Sequence, residues 1–340
     1  MMAKIDLSQQ ATAITGWLWD IAQLLSPFGT DSRLHWTGLT AFLALGTIAF
    51  LVEKQKDKTE SGNLLSFLFP AKIYLSNSSL VDIKVYVAGR LIKPLIAAVL
   101  LPLGALIMSA TALSVSGLLP PAAAQEPSWG AIGVASLLVA LLFDFSYYVT
   151  HRMSHESAWL WPFHKLHHSA EVLTPITAKR NHPVFDLMLG LVRVVMIAPA
   201  SGAIFGLFGI VEFATIFGMT ALIALMNVTG GALRHSHIWL DFGPIVDRIL
   251  ISPAQHQIHH SMAPQHHDKN YGLTLAVWDW MFGTLYIPNG REELAFGIAD
   301  RKGTAQPQVH NSLKDAYLVP FNEFANRQRN DVPALEERRA

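Results

Sequence analysis

Three histidine clusters carry the chemistry that this chain can do. They are His151-Arg-Met-Ser-His155, His164-Lys-Leu-His167-His168 and His256-Gln-Ile-His259-His260. On a helix, positions i and i+4 differ by about 40° in azimuth and about 6 Å in height. Both imidazoles of an HxxxH pair can therefore reach one metal ion. Positions i, i+3 and i+4 of HxxHH share a face in the same way. One such cluster alone is as readily a set of ordinary core or surface histidines. Three together, on one side of a membrane, are not. Eight closely placed imidazoles resist protonation and lose hydration unless a metal takes their lone pairs.

The donor set narrows the metal. The chain has no Cys, so thiolate sites, iron–sulfur clusters, disulfides and Cys nucleophiles are all excluded. Imidazole suits zinc, copper, iron and nickel alike. Eight ligands exceed one tetrahedral zinc site, so two metals are the economical reading. HExxH is absent: Arg152 follows His151 and Gln257 follows His256. A zincin-type protease needs a glutamate there as general base. Redox-active iron fits a membrane-embedded pocket of neutral nitrogen donors better than zinc does, although spacing alone leaves both open.

The elements that must hold these residues are membrane helices. The chain has 340 residues, 51% hydrophobic and 15% charged, against about a quarter charged in soluble domains. Lys+Arg and Asp+Glu balance at 25 each, so no basic surplus points to nucleic acid. Apolar runs of spanning length cover 34–52, 87–119 and 131–149. The run 187–227 is about twice that length, with Pro199, Gly202, Gly206 and Gly209 near its middle, and reads as a hairpin of two spans. Five crossings are expected, with Pro94 and Pro102 available to kink the second.

Lys and Arg concentrate in 53–93, 150–186 and after 228, and are absent from 120–129. The positive-inside rule puts the basic segments in the cytoplasm. The run 11–25 reads as an interfacial helix, because Asp20 interrupts it and no cleavage site follows. The tail after about Gly290 reads as a loosely packed cytoplasmic extension.

With these residues in view, the chain resembles the fatty acid hydroxylase/sterol desaturase superfamily of membrane di-iron oxygenases. The resemblance covers roughly residues 135–288. It runs from Asp144 through HRMSH, WLWPFHKLHHS and TAKRNHP, and resumes at RHSHIWLDFGP, SPAQHQIHHS, KNYG and WDWMFGT. The stretch is also similar to the alkylglycerol monooxygenase branch and to bacterial sterol-desaturase-like proteins. The resemblance implies an all-α fold: a multi-pass transmembrane helical bundle with a cytosolic histidine-rich helical cap. It implies an N-terminal membrane region over 1–129, a di-iron fatty acid hydroxylase-like domain over 130–290 and a cytoplasmic tail over 291–340.

Carried over residue by residue, the resemblance makes His151, His155, His164, His167, His168, His256, His259 and His260 ligands of two ferrous ions. A further ligand is expected between the second and third clusters, where His235 and His237 compete. Asp144 is a costly carboxylate in a span. It would hydrogen-bond a ligand imidazole or pair with Arg152 or another basic group. Asp279 would do the same or cap local structure. His182 reads as a helix-entry residue, His266 and His267 as solvated, and His35 and His310 as without a role. Trp159, Trp161, Trp278 and Trp280 read as interfacial anchors, with the substrate entrance as the sharper alternative.

The implied activity is O₂-dependent hydroxylation of a C–H bond of a bilayer lipid, in a bacterial inner membrane with the site facing the cytoplasm. Desaturation and ether-lipid cleavage by the same site stay open, as does a zinc-dependent membrane hydrolase. A haem or quinone protein needs histidines deep in its spans, and a metal transporter needs them along a pore; neither pattern is present. The chain shows no cytochrome b5 signature and no dinucleotide fingerprint after a strand, so an external electron-transfer protein is expected.

Overall fold

The computed structural model describes residues 35–56, 62–118, 128–208 and 221–337, and these are helical and irregular with only isolated β-bridges. Four helices among them are long and apolar enough to cross a membrane. The first is α1 (Trp36–Lys56). Two short helices, α2 (Leu64–Leu68) and α3 (Ala71–Tyr74), lead into α4 (Asn77–Gly117). The third long helix is α5 (Trp129–Glu156) and the fourth is α7 (Pro183–Val192), which continues through a π-turn at Arg193–Ile197 into α8 (Ala198–Phe208). Between them lies α6 (Trp161–His168).

The fifth expected crossing falls largely on residues 209–220, outside the described residues. Its described part is the eight-residue helix α9 (Ala221–Val228), which packs on α1 and α5. The expected interfacial helix over 11–25 and most of the loop 120–129 also lie outside the described residues.

Helix α4 is longer than a membrane is thick. At 41 residues it extends about 60 Å, and it is unbroken despite Pro94 and Pro102. Ser76 caps its start by accepting from Ser79 N at 3.2 Å. Its first turns bury Val81 and Val85 against Leu166 and Ala316. The remainder is the span, and the Lys93–Asp186 ion pair at 3.1 Å marks the change.

Close packing joins α4 to α8. A Cβ at Gly202 or Gly206 would strike the backbone oxygens of Met108 or Ala112. Small residues four apart allow such an approach between membrane helices. The paired positions rise together along both helices, so α4 runs parallel to α7–α8.

The cap continues through the 3-10 turns Pro175–Lys179 and Leu233–His235, then α10 (Gly243–Val246), α11 (Pro253–His259), α12 (Val277–Phe282) and α13 (Leu313–Glu337). Helix α11 starts with a capping box: Gln255 N donates to Ser252 Oγ, and Gln255 Oε1 accepts from Ser252 N at 3.0 Å.

The segment after Gly290 differs from the loose tail that its polarity suggests. Met262 N donates to Ala295 O at 2.9 Å, and Ser261 bridges Phe296. Helix α13 lies on α6, with Lys165 paired to Glu323 at 2.8 Å and Phe163 against Phe321 and Phe324. Few apolar residues, spaced by polar ones, were enough to dock it.

Candidate metal centre

Nine histidines converge below the spans in two groups. The first holds His151 and His155 from α5, His164 and His168 from α6, and His259 from α11. The second holds His167 from α6, His235 from the Leu233–His235 turn, and His256 and His260 from α11 and its cap. Within each group the donor nitrogens lie within 4.8 Å of one another.

The two HxxHH clusters do not each serve one group, as a shared helix face suggests. Each gives its i, i+4 pair to one group and its i+3 residue to the other. His164 and His168 go to the first group while His167 goes to the second. His256 and His260 go to the second while His259 goes to the first. Rings of the two groups stack across the boundary, with His168 and His260 centroids 4.5 Å apart.

The tautomers can be deduced. His151 Nδ1 lies 2.7 Å from Tyr271 O and His259 Nδ1 lies 2.7 Å from Lys269 O. A carbonyl only accepts, so both Nδ1 atoms carry hydrogen and donate. Both neutral rings then present bare Nε2 lone pairs, and these face each other at 3.1 Å. Two lone pairs at that distance repel unless a cation lies between them. In the second group, His235 Nε2 lies 3.1 Å from His256 Nε2, 3.1 Å from His260 Nε2 and 3.3 Å from His167 Nε2. One proton can serve only one of these contacts. Neighbouring donors at about 2.1 Å from one ion are separated by about 3.0 to 3.4 Å, so the residues fit metal in both groups. Nε2 of His155, His164 and His168 is buried with no hydrogen-bond partner, as metal ligation requires.

Burial keeps these rings neutral. It pushes His164, His167, His168 and His260 well below the usual histidine range, with neighbouring imidazoles adding to the effect. Burial also takes His259 down to about 4. A neutral imidazole is the form that binds metal.

A turn at 268–272 supplies both orienting carbonyls. Asp268 and Asn270 have φ of 59° and 57°, a left-handed conformation that Asn and Asp tolerate better than most residues. Asn270 is fixed by accepting from Tyr286 N at 2.7 Å and donating to Gln255 O at 3.1 Å. Asp279 accepts from Tyr271 N and Gly272 N, both at 2.8 Å, and from Thr284 Oγ1 at 2.7 Å. Burial pushes its carboxyl up to about 6.

Asp144 does neither of the things expected of it. It accepts from Thr274 N at 3.0 Å, Leu275 N at 3.2 Å and Trp278 Nε1 at 2.9 Å, touching no ligand imidazole and not Arg152. Arg152 pairs with Glu156 instead. Asp279 likewise reaches His151 only through the Tyr271 backbone.

Of the two competing histidines, His235 lies in the second group and His237 lies outside both. His237 Nε2 donates to Phe67 O at 2.7 Å, two residues along a chain that turns away. His182 is a helix-entry residue, its Nδ1 accepting from Val184 N at 3.2 Å. His266 is buried rather than solvated, with Nε2 2.9 Å from Glu292 Oε2. Of the tryptophans, Trp278 holds Asp144, Trp161 packs on His155 and His168, Trp159 packs on Phe324, and Trp280 is exposed.

Sequence reasoning missed Arg180 and Arg234. Arg180 is fully buried, paired with Asp82 at 2.9 Å, and donates to Leu166 O at 2.9 Å between the α6 ligands. Arg234, also buried, donates to Leu273 O and to Ile251 O. The only signal was that Arg234 directly precedes His235 and that Arg180 stands two residues before His182.

A cleft of about 430 Å³ opens beside the first group, lined by His155, His168, His259, Trp161, Asp268 and Arg301 among others.

Residues 136–284 match the family model described as fatty acid hydroxylase. This stretch is similar in sequence to fatty acid hydroxylase domains. It holds all nine clustered histidines. The chain is 29% identical to an ornithine lipid hydroxylase of Rhizobium tropici over 60% of this chain and 59% of the relative. It is 31% identical to an alkylglycerol monooxygenase of Xenopus tropicalis over 50% of this chain and 34% of the relative. A very-long-chain aldehyde decarbonylase of Oryza sativa subsp. indica is 31% identical over 48% of this chain and 26% of the relative. The chain thus spans three-fifths or less of these relatives. No solved structure matches it.

Proposed function

We propose that this chain is a membrane-bound di-iron oxygenase that hydroxylates a C–H bond of a lipid, using O₂ and an external electron-transfer protein. The observation that carries the reading is the set of nine imidazoles in two groups of five and four, with the donor nitrogens of each group within 4.8 Å of one another. Two irons bound there would supply O₂ activation and oxidation of an unactivated C–H bond. His151, His155, His164, His168 and His259 would hold one, and His167, His235, His256 and His260 the other.

The chain's own residues do the rest. Lys269 and Tyr271 fix the ring tautomers by accepting at Nδ1, leaving Nε2 for metal. The walls of α5, α6 and α11 bury the ligands except where the cleft reaches His155, His168 and His259, which limits the water that can reach a strong oxidant. The apolar spans suit an acyl or other lipid chain drawn from the bilayer. The Lys/Arg bias supports a cap on the cytoplasmic side, in this reading of a bacterial inner membrane, where a soluble reductase would reach it. In this reading residues 130–290 would carry the site, and α13 braces α6 through Phe321, Glu323 and Phe324.

Ether cleavage is the second reading, because an alkylglycerol monooxygenase is matched at 31% identity against 29% for the hydroxylase. The test compares lipid extracts from cells producing the chain and its His259→Ala variant, with and without labelled O₂. Hydroxylation adds one labelled oxygen to a lipid in the parent only. Loss of two hydrogens instead means desaturation, and release of an aldehyde from an alkyl ether means cleavage. Activity that persists without O₂, in protein holding zinc, overturns the oxygenase reading.

A further inference from the structure

Outside the metal centre, the cap exposes a compact apolar surface that no span accounts for. It is made by two adjoining segments, Gly243–Ile249 and Val277–Phe282. Ala276 N donates to Ile249 O and Ile251 N to Thr274 O, both at 2.9 Å, which ties the segments side by side. Ile245 is 76% exposed, Met281 64% and Trp280 60%. Val246, Ile249 and Phe282 are exposed beside them. Leu137, on the spanning helix α5, is exposed to a similar degree, 57%. The acids of these segments, Asp247 and Asp279, are buried, so Arg248 is the one charge on the exposed face. Water-facing surfaces rarely carry such a patch without a partner.

The depth of the patch names the partner. Phe145 of α5 packs on Trp278 and Phe282, with ring centroids 4.9 Å and 6.1 Å apart. Asp144, its neighbour, is satisfied by backbone N–H groups of Thr274 and Leu275. Phe145 precedes His151 by six residues, about 9 Å along the helix toward the bilayer. The patch therefore adjoins α5 eight residues, about 12 Å, from Leu137, next to the part of the helix that exposes apolar side chains.

We propose that Gly243–Ile249 and Val277–Phe282 are seated in the bilayer as an in-plane inserted element on the cap side. Trp280, Met281, Phe282, Ile245 and Ile249 enter the hydrocarbon edge, and Arg248 reaches back to the headgroups. The metal-binding groups then sit at headgroup depth rather than on a cap held clear of the membrane. The inference is independent of which metal the histidines hold.

The chain has no Cys, so single cysteines can be introduced and spin-labelled in the full protein. The labelled variants are Met281→Cys, Ile245→Cys, Leu137→Cys as a lipid reference and Lys302→Cys as a water reference. They are reconstituted in phosphatidylcholine vesicles and relaxed with O₂ or a water-soluble nickel chelate. Labels at 281 and 245 are expected to follow Leu137→Cys, with strong O₂ relaxation and loss of the nickel effect. All four positions are exposed, so the labels displace no core. Nickel relaxation at 281 and 245 equal to that at Lys302→Cys overturns the proposal. Labels shielded from both relaxants, with spin–spin broadening that fades on dilution in lipid, would mean that a second copy covers the patch, and also overturn it.

Discussion

His151 and His259 face each other through Nε2 at 3.1 Å, while Nδ1 of each donates to a carbonyl of the same 269–271 turn. With both rings neutral, no hydrogen lies between the two Nε2 atoms, and a metal cation would take both lone pairs.

The division of the nine histidines gives the first prediction. His259→Ala removes a ligand from one group and His256→Ala from the other. Each is expected to lower bound iron from about two per chain toward about one, since a lost donor weakens its own site most. The double variant should hold almost none. Metal analysis of purified protein checks this. Complete loss of metal in both single variants would show that the groups bind as one unit.

Asp279 tests the orienting turn. Its carboxylate accepts three hydrogen bonds and touches no ligand. Asp279→Ala leaves three donors unpaired in a buried site, at a cost of about 3 kcal/mol or more. Asp279→Asn keeps the volume but replaces one acceptor with a donor. It is expected to lower metal affinity roughly 10- to 100-fold by releasing Tyr271 and with it His151. Thermal unfolding and metal competition measure the two effects. Unchanged affinity in Asp279→Asn would mean that the turn holds itself.

The buried pair Asp82–Arg180 tests how α6 is located. Arg180 also donates to Leu166 O, Ser78 O and Ser169 Oγ, so it binds α4 to the ligand-bearing helix. Asp82→Asn or Arg180→Met alone leaves a buried charge unpaired, costing about 3 to 5 kcal/mol. The double variant should cost less than the sum, with a coupling above about 1 kcal/mol in a double-mutant cycle. Strict additivity would deny that the pair acts as a unit.

The outline of this site was legible because chemistry and period coincide. HxxxH and HxxHH have helical spacing, and α5, α6 and α11 bear them. The partition of each HxxHH between two groups was not legible, because it depends on how α6 and α11 cross. His235 and His237 could not be separated for a similar reason: a 3-10 turn aims the first inward and the chain then turns to Phe67. Asp144 was misread because the strongest partner for a buried carboxylate was a backbone segment 130 residues away. Helix α13 was missed because its apolar contacts with α6 lie in a mostly polar stretch.

His310 gives a pH prediction outside the metal centre. Its ring is buried with no hydrogen-bond partner at either nitrogen. Burial, with the charges of Arg180 and Lys165, pushes it down to about 3 from an ordinary 6.5. The unfolded chain therefore binds this proton as pH falls below 6.5, while the folded chain does not until about 3. Stability is full above that upper value and is lost across the window, by at most about 5 kcal/mol. His310→Phe removes the group that titrates and leaves no polar atom unsatisfied. Acid unfolding of the variant, followed by tryptophan fluorescence at the same metal loading, is expected to have its midpoint at a lower pH than the parent. Equal midpoints would mean that acid acts through the other buried histidines, and that the ring of His310 finds water on folding.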